Sequence, residues 1–115
     1  MPELRLKRLE SLIREKIGLM ISMGEIKDPR VERLTTITEV SLSKDMGHAK
    51  VYVSRYGDVE TLKDCVDALN HGAGYIQGVL SKQISIRVFP KLKFIVDESI
   101  ARGFRITQKL REISH

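Results

Sequence analysis

Between residues 4 and 23 the apolar positions Leu6, Leu9, Ile13, Ile17 and Met20 recur at three- and four-residue steps, while Lys7, Arg8 and Arg14 fall off that stripe. This spacing predicts an amphipathic helix with one face against a core. Gly24 is placed to cap its C-terminus, and Asp28-Pro29 predicts an extended turn, because the proline ring excludes helical geometry at Asp28. The period then shortens. Residues 34 to 43 are rich in Thr and branched side chains, with Leu34, Val40 and Leu42 in one phase and Ile37 in the other, which predicts a strand with a local bulge. Lys44-Asp45-Met46-Gly47 has the composition of a hairpin loop, after which Ala49, Val51 and Val53 alternate with His48, Lys50 and Tyr52 as a half-buried strand.

Asp58 is a candidate N-cap for the next helical run, in which Leu62, Val66, Leu69, Ala73, Ile76 and Leu80 hold register to about Gln83. Gly72-Ala73-Gly74 interrupts it. A glycine inside a helix costs about 1 kcal/mol relative to alanine, so two predict a bend and two short helices. Alanine at both positions is then expected to straighten the crossing and disturb packing. The even positions Ile84, Ile86, Val88, Leu92, Phe94 and Val96 predict a third strand with a break at Phe89-Pro90, where the proline suits an edge position or a bulge, its other face carrying Arg87, Lys91, Lys93 and Ile95. Ile106, Leu110 and Ile113 predict a short terminal helix over about 106–113. The order of elements predicts an α+β fold: one domain over residues 1–115, with a mixed three-stranded sheet, helices on one face and a kinked helix pair.

With 115 residues there is room for a single core. Lys plus Arg number 20 against 15 Asp plus Glu, a net +5. Their distribution changes the picture more than their total. Residues 1–33 carry eight basic and six acidic groups, residues 34–80 four and six, and residues 81–115 eight and three, so the surplus sits in the last third and favours a polyanionic partner. Cys65 is the only cysteine and falls on the middle helix's apolar stripe, which predicts a buried, inert thiol and excludes a disulfide framework or thiolate cage. His48, His71 and His115 lack ligand spacing, no nucleophile-and-base set stands out, and neither metal nor other cofactor is expected. No run is apolar enough to span a bilayer and no secretory signal opens the chain, so a cytoplasmic protein is expected.

Nucleic acid is therefore the leading partner. The glycine kink leaves backbone amides bare at a helix start, which suits phosphate. Candidate contacts are Gly72, Ala73 and Gly74 at the kink, Arg87, Lys91 and Lys93 on the basic strand, Arg5 and Arg8 on the first helix, and Arg30 in the connector. Each has a plainer reading beside it: glycines for close packing, strand lysines against edge pairing, helix arginines as a solvated face, and Asp28-Pro29-Arg30 as a rigid connector. Tyr52 and Tyr56 suit stacking on bases, though two aromatics do not by themselves make a platform. Asp64 and Asp67 read as a solvated acidic edge.

The chain resembles the bacterial ribosome-binding factor A family over nearly its full length. The residues that carry the resemblance are Asp28-Pro29-Arg30, Thr36-Ile37-Thr38, Ala49-Lys50-Val51-Tyr52-Val53-Ser54, and Arg87-Val88-Phe89-Pro90-Lys91-Leu92-Lys93-Phe94 with Asp97 and Ser99. The resemblance implies a type II KH-like domain in which an Ala-x-Gly kink replaces the Gly-x-x-Gly loop of ordinary KH modules. That kink matches Gly72-Ala73-Gly74, with glycine in place of the first alanine. It further implies a non-enzymatic assembly factor that binds the free 30S ribosomal subunit and 16S rRNA and assists late maturation and rRNA processing, notably in the cold; a monomer is expected. A protein-interaction module using its basic surface only for solubility is the alternative.

Overall fold

The computed structural model describes residues 2–100, and the expected terminal helix near 106–113 lies outside them. The chain order is α1 (Pro2–Ser22), β1 (Thr36–Leu42), β2 (His48–Ser54), α2 (Val59–His71), α3 (Ala73–Gln83) and β3 (Lys91–Val96). Helix α1 ends where the sequence places its cap. Gly24 has φ +69°, its amide bonds to Ile21 O, and the Glu25 amide reaches back to Met20 O, so the left-handed glycine closes the last carbonyls.

The sheet order is β1-β2-β3, with β1 antiparallel and β3 parallel to β2. The expected bulge lies between Ile37 and Glu39 and brings both Ile37 and Val40 to the core side. One face, built from Ile37, Val40, Leu42, Ala49, Val51, Val53, Leu92 and Phe94, is buried under Ile13 and Ile17 of α1, Leu62 and Leu69 of α2, and Ile76 and Leu80 of α3. The other carries His48, Lys50, Lys91 and Lys93, all exposed. This is the two-layer α+β arrangement the element order predicts, and it agrees with the KH-like domain the resemblance implies.

Two strand boundaries differ from expectation. Leu34 is 88% exposed, because the Thr35 amide bonds to Glu32 O and holds the chain in a turn before β1. Residues 84–90 are not strand either. Ile84 caps α3 through its amide to Leu80 O, Val88 is 73% exposed, and Pro90 has no amide to donate. The ladder has nothing to extend onto, since β2 begins at His48, opposite Lys91, and the chain before it turns through Met46 at φ 61°.

Two side chains close the sheet's edges. Asn70 of α2 donates through Nδ2 to Phe94 O at 2.9 Å and accepts the Phe94 amide at Oδ1 at 2.8 Å. Glu10 of α1 accepts the Leu42 amide of β1 at 2.8 Å. Both replace ladder partners that an edge strand lacks.

Candidate nucleic-acid interface

The kink between α2 and α3 is a single residue wide. Gly72, with φ −92° and ψ 8°, ends α2 through its amide to Ala68 O and begins α3 by accepting the Ile76 amide. Among the described residues no acceptor takes the amides of Ala73, Gly74 and Tyr75, so three donors stand open at the start of α3, as expected. Neither glycine is required sterically, contrary to the close packing expected of them. Gly72 does not use a left-handed conformation, a Cβ there would meet Ala68 O at 3.6 Å, and a Cβ at Gly74 would meet nothing within 4 Å. Close packing is thus no reason for either glycine, and alanine fits at both.

The kink faces a shallow depression of about 300 Å³ lined by Ile26, Lys27, Pro29, His71 and Tyr75 among others. Its rim is electrostatically mixed. Asp28 accepts the Arg30 backbone amide and pairs with its guanidinium at 3.0 Å, which holds the Asp28 carboxyl below the usual aspartate range and raises Arg30. Asp64 and Asp67 lie near enough to add to that effect on Arg30. Arg30 is therefore committed to carboxylates, in keeping with a rigid connector.

The basic strand divides. Lys91 and Lys93 lie on the face of β3 turned away from α1, α2 and α3, whereas exposed Arg87 belongs to the loop before it and is not on that face's ladder. The residue missed by sequence reading is Lys50. It sits in β2 directly opposite Lys93, with His48 opposite Lys91, and none of Lys50, Lys91 and Lys93 has an ion-pair partner among the described residues. Its alternation with Val51 is visible in the sequence, but the parallel pairing that sets it beside Lys93 is not.

Arg5 and Arg8 are exposed on α1. Neighbouring Lys7 and Arg14 rim a groove of about 240 Å³ against β1, together with Glu10, Ser11 and Glu39, so cations and carboxylates interleave there. The candidates thus fall into separate regions: kink and connector in the helical layer, the α1 face, and the open sheet. Tyr56 is 71% exposed, and Tyr52 is half-buried on the open sheet face.

Cys65 is buried as expected, 3.6 Å from Thr35 Oγ1, and burial pushes its thiol pKa up, which keeps it protonated and inert. Arg55 was not singled out from the sequence. Its side chain is only 12% exposed and bonds Glu32 at 2.8 Å, which anchors the end of β2 to the segment before β1. Among the described residues no three His, Cys, Asp or Glu side chains gather as a metal site, and no helix is long and apolar enough to cross a membrane.

Comparison with known proteins gives a consistent result. A family model described as ribosome-binding factor A matches residues 5–110. A ribosome-binding factor A of Treponema denticola is 42% identical over 115 residues, covering 100% of this chain and 87% of that protein. That of Dictyoglomus thermophilum is 40% identical over 109 residues, covering 95% and 90%. Among solved structures, the crystal structure of ribosome-binding factor A from Thermus thermophilus superposes with a TM-score of 0.70 at 26% identity, covering 82% of this chain and 97% of that one. A homology model of the Thermus thermophilus factor, fitted into the cryo-electron-microscopy map of its 30S complex, matches with a TM-score of 0.63 at 26% identity over 79% and 93% of the two chains.

Proposed function

This chain belongs to the ribosome-binding factor A family, and on that premise we propose that it binds the free 30S ribosomal subunit through 16S rRNA and assists late small-subunit maturation and rRNA processing. The observation that carries the reading is the match over nearly the whole chain to factors of that name, one of them fitted into the map of a 30S complex. The exposed lysines of the open sheet face and the amides at the kink, without partners among the described residues, supply the physical means: charge for phosphates, and donors that contact a folded RNA by shape.

The action is stoichiometric rather than enzymatic. A protein that binds one rRNA conformation more tightly than another shifts the population toward it without making or breaking bonds. The whole of residues 1–115 acts as one cytoplasmic, monomeric domain, and its RNA contacts are drawn from Gly72, Ala73, Gly74, Lys91, Lys93, Arg5 and Arg8. Arg87 and Arg30 rank behind them, the first by its place off the ladder and the second by its pairing with Asp28.

Gradient co-sedimentation with separated small subunits and complete ribosomes tests the proposal. Selective capture by free small subunits, weakening steeply as salt rises, is expected. Absence of capture, or equal capture by complete ribosomes, overturns it.

A further inference from the structure

Strands β2 and β3 run side by side with His48 opposite Lys91, Lys50 opposite Lys93 and Tyr52 opposite Ile95. Because Ala49, Val51, Leu92 and Phe94 are buried beneath the helices, these alternating residues belong to the face that no helix of the described residues covers. We infer that this open face is a seat for a single strand of RNA, with phosphates held by Lys50, Lys91 and Lys93 and an unpaired base set on the Tyr52 ring. The inference rests on the RNA-binding reading above and adds the surface and the form of RNA it takes.

The arrangement is costly by itself. Like charges directly across a ladder destabilise a sheet, and here Lys50 stands directly opposite Lys93. Lysine on an edge strand has an ordinary use in blocking strand-to-strand aggregation, which accounts for Lys91 and Lys93. It does not account for Lys50, because β2 is the central strand and has no free edge. Neighbouring strands stand about 4.8 Å apart, and residues two apart along a strand are separated by about 6.6 Å, so the cations form a compact grid that suits successive phosphates of one chain.

The anions facing this surface give it direction. Glu39 is paired with Tyr52 across β1, while Asp97 and Glu98 line, with Tyr52, Val96 and Ser99, a shallow depression of about 400 Å³. The Asp97 carboxylate is fixed at that end by the Thr38 hydroxyl, which donates to it at 2.6 Å. The carboxylates thus lie at the Tyr52 end of the face and the lysines at the other. A half-buried tyrosine on an open sheet face offers its ring to an unpaired base but not to the interior of a duplex, hence the choice of a single strand.

The test is fluorescence anisotropy of the full chain with a labelled, short, uridine-rich single-stranded RNA and with an RNA duplex of equal length, each over a salt series. Lys50→Gln with Lys93→Gln is expected to reduce the salt slope of log K for the single strand by about 1.4, two phosphate contacts' worth. Tyr52→Leu is expected to weaken single-strand binding about tenfold, Tyr52→Phe to leave it near wild type, and duplex binding to ignore both changes. Thermal melts identify variants that are folded. Folded variants with an unchanged slope, or equal affinities for the Leu and Phe variants, overturn the inference. If the wild-type chain sediments with free small subunits and the double glutamine variant does so equally well, this face is not the seat and the family reading stands. If the wild type is not captured at all, that reading itself falls.

Discussion

Asn70 occupies the outer edge of β3 as an additional strand would, taking both the amide and the carbonyl of Phe94. Asn70→Ala leaves those groups without protein partners, and chemical denaturation is expected to show a loss of about 1–3 kcal/mol, with Asn70→Asp intermediate because it keeps only an acceptor. Other single residues act through charge. Asp58 accepts the Thr61 amide at 2.7 Å as the N-cap of α2, Asp28 accepts the Arg30 guanidinium and amide, and Asp45 accepts the Ser43 hydroxyl and the Gly47 amide; these bonds hold all three carboxyls below the usual aspartate range. A folded-state pKa below the unfolded one means that the unfolded chain binds more protons. Their contribution is therefore fully present above about pH 4 and is lost as pH falls through the lowered values. Melting temperature followed against pH is expected to drop below about pH 4, and less steeply in Asp58→Asn, which keeps a capping oxygen but cannot titrate.

At the scale of elements, what the sequence makes legible is what repeats locally. The stripe Leu9, Ile13, Ile17 and Met20 marks α1, and the phase change between Ile37 and Val40 marks the bulge, because each rests on the chain's own period. Ile84, Ile86 and Val88 alternate as well as Leu92 and Phe94 do, yet only the latter have a strand to pair with, and pairing is a long-range fact. For the same reason Lys50 is invisible as a neighbour of Lys93 until β2 and β3 are laid parallel. The kink was legible in place but not in cause. Gly72 keeps a negative φ and both glycines have room for a Cβ, so the bend is held by what α2 and α3 pack against rather than by glycine geometry. Gly72→Ala with Gly74→Ala is expected to fold with the bend intact and, for the residue inside α3, to gain about 0.5–1 kcal/mol on thermal denaturation. A loss of stability there, with altered amide chemical shifts spreading into β3, would return the bend to the glycines.

For the whole molecule, the two layers divide stability from binding. Ion pairs hold the connecting segments, Arg30 with Asp28 after α1 and Arg55, past the end of β2, with Glu32 before β1, while the open sheet face sets Lys50 against Lys93 with neither in an ion pair among the described residues. If that face were only a solvated surface, its charges would be expected to alternate, since an opposite pair across a ladder contributes about 0.2–1 kcal/mol and a like pair subtracts a similar amount. Lys93→Glu converts the like pair into an opposite one while keeping a charge on the edge strand. It is expected to raise the melting temperature by up to about 4–8 °C and at the same time to weaken capture by free small subunits, stability and affinity moving in opposite directions. An edge-protecting lysine with no other role predicts instead a gain in stability with unaltered capture, so measuring both in one variant separates a surface kept for RNA from one kept for solubility.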